Sequence, residues 1–270
     1  MDISTVVAAL RAELEHALVA VDFDGTLAPI VPDPADSRPA PGAVAALRTI
    51  AERGAQVAVI TGRDARTVLG LGGLDAIPGV IVEGLYGAER WQGGVLTTLP
   101  EPYAMHRLRA ELPALIATGD PKLWIEDKRL SLVVHARMAA DPQAALDSVR
   151  EPVTTLGEQL GLSVDPGRGV LELRLPGHDK GAALLRLTAE LGPKAALFVG
   201  DDVGDLPAFT AVGELREQGT PAWSVAVVSP EAPEVARAAD VQVDGPAGVV
   251  ALPPVPWFRA QLDALAQVSD

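Results

Sequence analysis

The stretch Val21-Asp22-Phe23-Asp24-Gly25-Thr26 decides how this chain is interpreted. It overlaps an apolar run over residues 18–23 in which Asp22 is the one polar side chain, a pattern that predicts a buried β-strand followed by a tight turn at Gly25. On extended backbone, residues two apart point to the same side, so we expect the Asp22 and Asp24 side chains about 6–7 Å apart. Buried strands rarely end in unpaired carboxylates, which makes both aspartates candidates for a functional site.

Two further polar motifs follow predicted buried strands. Thr61-Gly62-Arg63 comes after a strand predicted over residues 56–60, and Gly200-Asp201-Asp202-Val203-Gly204-Asp205 comes after one predicted over residues 195–199. In open parallel sheets, ligands bind beyond the carboxyl ends of the strands. We therefore expect the three motifs to meet at one site.

Strands alternate with helices in both halves of the chain, and these strands are apolar throughout rather than at alternate residues. That pattern is typical of a parallel sheet covered by helices on both faces. The sequence therefore predicts an α/β fold with a doubly wound, mainly parallel sheet. Further strands are predicted over residues 79–83 and 224–228, and helices over residues 5–16, 41–53, 64–71, 180–191, 203–212 and within 246–267.

The middle of the chain has a different pattern. Two helices are predicted over residues 103–117 and 142–160, the first with Pro113 as an irregularity. Short strands are predicted over residues 123–125, 131–135, 162–164 and 170–173. We expect a small α+β domain of residues 103–177, inserted between the two parts of a core domain, 1–102 and 178–270.

The chain has 270 residues, no cysteine and a net charge of −14. The lack of cysteine excludes a disulfide scaffold, a thiolate metal site and a cysteine nucleophile, and the acidic charge excludes a whole-chain basic footprint for nucleic acid. Apolar runs are far shorter than the roughly 20 residues of a membrane-spanning helix, and the N-terminus shows no signal-peptide pattern. We expect a cytoplasmic protein without nucleic-acid or membrane partners, and a monomer, with an oligomer left open.

The carboxylates at the strand ends favour a divalent metal. Asp22 and Asp201 aimed at one point would repel each other unless a cation lay between them, and oxygen ligands without histidine or cysteine favour Mg²⁺. Asp205 follows Asp201 by one turn if a helix begins at residue 202 or 203. A metal framed by aspartates suits phosphoryl transfer, with one carboxylate attacking and a second moving the proton. Thr61 and Lys180 are suited to hold the phosphate.

These motifs, with Lys180 between the second and the third, resemble in kind and order the four motifs of the haloacid dehalogenase-like phosphatases. Finer segments resemble the trehalose-6-phosphate phosphatase family. They are Gly84-Leu85-Tyr86-Gly87-Ala88-Glu89, Glu126-Asp127-Lys128 followed by Ser131 and His135-Ala136-Arg137, and Pro166-Gly167-Arg168-Gly169-Val170-Leu171-Glu172-Leu173-Arg174. The chain departs from that family's usual pattern at Ala136, Leu175 and Gly204, where tyrosine, proline and threonine are common.

The resemblance implies a Rossmann-like core and an inserted cap that closes over a disaccharide phosphate. It further implies Mg²⁺-dependent hydrolysis of trehalose 6-phosphate through an aspartyl-phosphate. Asp22 would be the nucleophile and Asp24 the general acid and base, while Thr61 and Lys180 would hold the phosphate.

The resemblance also implies a metal site and a set of substrate contacts. Mg²⁺ would be bound by the Asp22 carboxylate, the Asp24 backbone carbonyl and Asp201. Asp202 and Asp205 would support the metal or orient Lys180. The candidate substrate contacts are Gly62, Arg63, Tyr86, Glu89, Lys128, His135, Arg137, Arg168 and Glu172.

Alternatives remain open for the function and for single residues. The chain could act on another sugar phosphate, such as sucrose 6-phosphate or glucosyl-3-phosphoglycerate, could be a phosphomutase, or could be a catalytically silent regulatory domain. Thr61 could cap the helix that follows it, and Lys180 could be a solvated residue at a helix start. His135 could be a structural histidine, and Glu172 could lie on the solvated face of a strand.

Overall fold

Short, buried strands make up the centre of the larger of two sheets. The structure is a computed structural model and describes residues 3–167, 169–229 and 232–251. Every residue of β1 (Ala17–Val21) and β10 (Ala195–Gly200) is buried, and β2 (Gln56–Ile60) is exposed only at its first residue. Because both faces of these strands are covered, their sequences are apolar at almost every position.

A helix lies between successive strands in the first and last parts of the chain, whereas several strands in the middle follow one another directly. The other strands of the described residues are β3 (Ile81–Gly84), β4 (Glu89–Gln92), β5 (Val95–Thr98), β6 (Trp124–Asp127), β7 (Ser131–His135), β8 (Ser163–Gly167), β9 (Val170–Arg174), β11 (Ala222–Val228) and β12 (Val241–Asp244). The α-helices of the described residues are α1 (Ile3–Ala12), α2 (Ala43–Ala51), α3 (Ala65–Gly72), α4 (Tyr103–Ile116), α5 (Pro142–Gln159), α6 (Lys180–Leu191), α7 (Leu206–Glu217), α8 (Pro233–Ala238) and α9 (Gly245–Ala251).

The larger sheet has the strand order β12-β11-β10-β1-β2-β3-β4-β5. The strands from β12 to β3 are parallel, and β4 is antiparallel to β3. Val21 lies opposite Val199 on one side and opposite Val59 on the other. The residues that follow β1, β2 and β10 therefore leave the sheet at the same edge.

Alternate residues of the central strands pack under helices on opposite faces. Val19 and Val21 belong to a core that includes side chains of α1, α2, α3 and α9. Leu18 and Ala20 belong to a second core with α6, α7 and α8. The predicted α/β class with a doubly wound, mainly parallel sheet is confirmed.

The described residues from 98 to 178 form a compact unit of their own, and those up to Thr97 and from Asp179 form the other. The smaller unit has an antiparallel sheet with the order β6-β7-β9-β8. Leucine and valine side chains from β7 and β9 pack with α4 and α5. Because side chains alternate along a strand, the opposite face of this sheet carries polar residues, among them Glu126, Ser131, His135 and Glu172.

Four short elements, β4, β5, α8 and β12, are present that the sequence pattern does not predict. Each is four to six residues long, which is too short for a periodic pattern to be distinct. Gly93 and Gly94 connect β4 to β5 with positive φ angles of 56° and 84°. Two successive left-handed residues suit a two-residue turn between strands.

The helix predicted over residues 203–212 begins later than expected. Val203–Asp205 is a 3₁₀ turn, and α7 starts at Leu206 with Pro207 in its first turn, where the missing N–H has no partner to lose. α4 continues through Pro113. The helix predicted within residues 246–267 corresponds to α9 up to residue 251, and the rest of that range lies outside the described residues. None of the described helices is both long and apolar enough to cross a membrane.

Candidate active site

Lys180 places a buried ammonium group between two buried carboxylates. Its Nζ lies 2.7 Å from Asp205 Oδ1 and 3.0 Å from Asp22 Oδ1, and all three residues are buried. Asp179 caps α6 with its side chain, so Lys180 is the first residue of the helix. Burial disfavours the charge, but the carboxylates of Asp205 and Asp22 outweigh it and hold the pKa of Lys180 well above its usual value. The alternative of a solvated lysine is therefore wrong.

The carboxylate of Asp205 accepts hydrogen bonds at both oxygens. Oδ1 accepts from Lys180, and Oδ2 accepts the backbone N–H groups of Asp201 at 2.9 Å and of Asp202 at 3.1 Å. A Cβ at Gly200 would lie 2.3 Å from Asp205 Cγ, so only glycine leaves room there. The side chain of Asp202 is 61% exposed and lies 3.9 Å from the lysine Nζ. Asp205 thus orients Lys180 and closes the turn after β10.

Asp201 lies against the turn that follows β1. The hydroxyl of Thr26 donates to Asp201 Oδ1 at 2.8 Å. Gly25 has a φ of +79°, and a Cβ at this position would lie 1.9 Å from Asp201 Oδ2. Glycine is therefore required for the left-handed backbone and for the close approach of the carboxylate.

Asp22, Asp201 and Asp205 each present one carboxylate oxygen within 4.8 Å of the other two. Burial raises the pKa of Asp22 well above its usual range; the Lys180 ammonium opposes this, and the carboxylates of Asp205 and Asp202 add to it. Burial is also the main reason that the pKa of Asp201 rises to about 7. A divalent cation at this group would relieve the repulsion among the buried carboxylates.

Thr61 follows β2 directly and is buried. Its N–H donates to the carbonyl of Glu83 at 3.0 Å, and its own carbonyl accepts the N–H of Tyr86 at 3.0 Å. Asp64, and not Thr61, caps α3 with its side chain, so the alternative of Thr61 as a helix cap is wrong. At Gly62, a Cβ would lie 2.7 Å from the hydroxyl oxygen of Tyr86, so this loop and the tyrosine are closely packed.

The segment after β3 carries two of the predicted substrate contacts. Leu85 and Tyr86 have positive φ angles of 48° and 57°, which are uncommon for residues with a side chain. Glu89 is buried and accepts the N–H of Ala65, the first residue of α3, at 3.0 Å. Glu89 therefore stabilises the start of the helix that follows Thr61. A substrate contact by Tyr86 or Glu89 stays a prediction.

Asp24 is not part of the group of three buried carboxylates among the described residues, and its side chain is 29% exposed. Its Oδ1 accepts from Arg63 Nη2 at 2.7 Å and from the Ser37 hydroxyl at 2.9 Å, and its Oδ2 accepts from Arg63 Nε. The structure thus brings Arg63, predicted as a substrate contact, onto the carboxylate of Asp24.

Three of the predicted sugar contacts of the smaller unit each have a polar partner within that unit: Lys128, His135 and Glu172. His135 stacks on Trp124 with ring centroids 4.1 Å apart, and its Nε2 lies 2.9 Å from Glu126 Oε2. Lys128 Nζ lies 3.8 Å from the same carboxylate oxygen. Glu172 Oε1 accepts a hydrogen bond from the hydroxyl of Ser131 at 2.7 Å.

The other two predicted sugar contacts are Arg137 and Arg168, and the described part of the chain gives no polar partner for Arg137. Arg137 is exposed and lies two residues beyond the end of β7, and Arg168 lies outside the described residues. Three residues without a predicted role hold site side chains in place: Thr26, Ser37 and Trp124. Thr26 could have been found from the sequence, because it is the last residue of the first motif. Ser37 lies in a proline-rich loop and Trp124 on a neighbouring strand, and neither has a local signal.

Replacing Gly25 by alanine should weaken cation binding, because the added Cβ would collide with the Asp201 carboxylate. We expect Mg²⁺ to raise the melting temperature of the parent protein, and we expect Gly25→Ala to lose that rise. Gly73→Ala is the matched control: its φ is +59°, but no atom lies within 4 Å of its Cβ. It should lower the melting temperature yet keep the Mg²⁺-dependent rise. An undiminished rise in Gly25→Ala would show that Asp201 does not hold the cation.

The stability of the cation-free protein should fall as the pH rises towards and through 7. Because the pKa of Asp201 is about 7 when folded and 3.8 ordinarily, the folded chain keeps a proton in this window that the unfolded chain has lost. A divalent cation competes with that proton, so Mg²⁺ should raise the melting temperature more at about pH 8 than at about pH 5.5. Asp201→Asn should weaken both dependences, and an unchanged pH profile in that variant would contradict this account.

Comparison with known proteins places the chain in a family. The sequence model of the trehalose-phosphatase family matches residues 20–247. The trehalose-phosphate phosphatase of Mycobacterium avium (strain 104) is 35% identical over 225 residues, which cover 76% of this chain and 54% of that protein. The chain therefore spans about half the length of the curated relatives it matches.

Solved structures share the fold. Aspergillus fumigatus trehalose-6-phosphate phosphatase matches with a TM-score of 0.74 and 26% identity, over 93% of this chain and 96% of that one. A haloacid dehalogenase-like hydrolase from Bacteroides thetaiotaomicron matches with a TM-score of 0.64 and 17% identity, over 88% and 98% of the two chains. The family match runs from before Asp22 to beyond Asp205, so it includes every motif that builds the site. The family that the motifs predict is confirmed, and the chain belongs to the trehalose-phosphatase family.

Proposed function

We propose that this chain is a Mg²⁺-dependent phosphatase that hydrolyses trehalose 6-phosphate to trehalose and phosphate. The observation that carries the proposal is the buried Asp22 carboxylate, which lies 3.0 Å from the Lys180 ammonium and beside Asp201 at the ends of adjacent strands. A carboxylate in this place can attack phosphorus, and the ammonium can hold the phosphate oxygens. The names of the relatives support a phosphate ester of trehalose as the substrate.

The donor set fits Mg²⁺. Asp22 and Asp201 offer hard carboxylate oxygens in a buried group, and the missing Cβ of Gly25 lets Asp201 reach the end of β1. We assign the two carboxylates and the backbone carbonyl of Asp24 as the ligands from the protein. When bound, Mg²⁺ neutralises the charge on the phosphate oxygens during the transfer.

In the first half-reaction, an oxygen of the Asp22 carboxylate attacks phosphorus, and the bond between phosphorus and the sugar oxygen breaks. Lys180, aligned by Asp205, and the hydroxyl of Thr61 hold the phosphate oxygens. Asp24 gives its proton to the leaving sugar oxygen, which departs as a hydroxyl of trehalose. Asp22 is left as an acyl phosphate.

In the second half-reaction, Asp24 is a carboxylate and takes a proton from water, while the oxygen of that water attacks phosphorus. The bond between phosphorus and the Asp22 oxygen breaks. Phosphate is released, the Asp22 carboxylate is restored, and Asp24 again carries the proton for the next cycle. One water is consumed for each ester cleaved.

We propose that the unit of residues 98–178 serves as the cap domain and supplies the selectivity for the sugar. Glu126, Lys128, His135 and Glu172 offer hydrogen-bond donors and acceptors on one face of its sheet, and Arg137 adds an exposed guanidinium beyond β7. A site built from directed hydrogen bonds rejects analogues that lack the partner hydroxyl, because its own polar groups are then left unpaired.

The proposed activity is tested by phosphate release from a panel of sugar phosphates. Trehalose 6-phosphate should be the best substrate, ahead of sucrose 6-phosphate, glucosyl-3-phosphoglycerate and glucose 6-phosphate. EDTA should abolish the release and excess Mg²⁺ should restore it, because the uncompensated carboxylates would repel the phosphate.

The other outcomes of that panel each point elsewhere. Equal turnover in EDTA would contradict the metal requirement, and a preference for another ester would replace the substrate. A product that keeps its phosphate would indicate a phosphomutase. No release from any sugar phosphate would favour a silent regulatory domain.

Asp22→Asn should lower turnover by at least about a thousandfold, because the amide cannot attack phosphorus. The melting temperature of this variant in EDTA should not fall, since burial disfavours the Asp22 charge more than the Lys180 ammonium stabilises it. Asp75→Asn, the same change at an exposed position, is the control and should keep the parent activity. A folded Asp22→Asn protein with near-parent turnover would refute the nucleophile.

A further inference from the structure

Three hydrogen-bond donors converge on the carboxylate of Asp24. Arg63 Nη2 lies 2.7 Å from Oδ1 and Nε lies 2.5 Å from Oδ2, so the guanidinium meets the carboxylate edge to edge through two bonds. The buried hydroxyl of Ser37 adds a bond of 2.9 Å to Oδ1. All three bonds form together in one orientation of the carboxylate, which is therefore held in position and in plane.

Arg63 is itself held on several sides. Its Nη1 donates to the carbonyl of Pro34 at 2.8 Å, and its guanidinium lies 6.0 Å from the centroid of the Phe23 ring. Its backbone N–H donates to the hydroxyl of Thr61 at 3.2 Å, and its carbonyl accepts the N–H of Leu85 at 2.9 Å. Arg63 thus joins the loop after β2 to the turn after β1 and to the proline-rich loop.

All three nitrogens of this guanidinium donate to acceptors of the protein, on Asp24 or on Pro34. A guanidinium engaged in this way is built to act on the aspartate rather than on a phosphate. A lysine at this position could supply the charge but not the planar pair of bonds that orients a carboxylate.

We propose that Arg63, assisted by Ser37, is the positioning residue that aims the Asp24 carboxylate at the atoms between which it moves a proton. This inference rests on the proposed phosphatase function and deepens it. The three donors face Asp24 in its carboxylate form, which is the form that takes the proton from water in the second half-reaction. Misplacing a catalytic group by about 1 Å can lower a rate by about a hundredfold.

A double-mutant cycle with p-nitrophenyl phosphate, run on the full chain in Mg²⁺, tests the proposal. Nitrophenolate leaves without a proton, so the first half-reaction of this substrate does not need Asp24. The constant kcat/KM reports only the steps up to phosphoryl transfer to Asp22 and is therefore insensitive to Asp24. The constant kcat also includes the attack of water, which needs Asp24. We expect Arg63→Gln to lower kcat by about 10- to 100-fold, with KM falling in parallel and kcat/KM nearly unchanged. In the Asp24→Asn background, Arg63→Gln should lower kcat no further.

The same variants are also measured with trehalose 6-phosphate, which tests the first half-reaction. Its leaving oxygen needs a proton, so Arg63→Gln should lower kcat/KM for this substrate as well. Arg63→Lys should not restore the rate, and Ser37→Ala should give a smaller loss of the same kind. Arg66→Gln, an identical change at an exposed position of α3, is the matched control and should keep the parent kinetics.

Three results would overturn the proposal. If Arg63→Gln lowers kcat/KM for p-nitrophenyl phosphate as much as kcat, Arg63 holds the phosphate. If the losses in the cycle are additive, Arg63 acts independently of Asp24. If the parent protein is active and Arg63→Gln has the same kinetics, the phosphatase function stands and only the positioning role of Arg63 is refuted. Failure of the proposed function is recognised separately, because the parent protein would then release no phosphate from trehalose 6-phosphate, whereas the cycle with p-nitrophenyl phosphate tests Arg63 on its own.

Discussion

The site depends on the ammonium group of Lys180, which is buried between the carboxylates of Asp22 and Asp205. Charges taken out of water must be compensated by close partners. When ionised, the group of Asp22, Asp201 and Asp205 carries three negative charges against one positive charge on Lys180, which leaves two to balance. A divalent cation would supply that balance. Burial raises the pKa of Asp201 to about 7, so without a cation this carboxylate can hold a proton below that pH.

The strand order of the sheet and two glycines allow these charged side chains to lie close together. β10, β1 and β2 are parallel neighbours, so the residues after them meet at one edge without long loops. Gly25 and Gly200 then remove the two Cβ atoms that would collide with carboxylates of the site. Backbone geometry thus brings charges together, and Lys180, from the first turn of α6, holds them there.

Asp22 and Asp24 are two residues apart in sequence but lie in opposite surroundings. Asp22 is buried and faces a single ammonium and other carboxylates, whereas Asp24 is partly exposed and faces the planar fork of Arg63. An attacking carboxylate needs an oxygen directed at phosphorus, while a proton carrier needs access to water and a defined orientation. The two environments suit these two roles.

The α/β class, the central strands and the strand-end motifs were determined by the sequence itself, because buried apolar runs and turn glycines are local signals. The short strands β4 and β12 lack such a signal and were decided by pairing with β3 and β11. Tertiary structure alone decided that Lys180 is buried, that Arg63 engages Asp24 and that the Thr26 hydroxyl reaches Asp201, 175 residues away. Contacts between segments so far apart leave no periodic trace, since they depend on which strands become neighbours and not on the residues beside them.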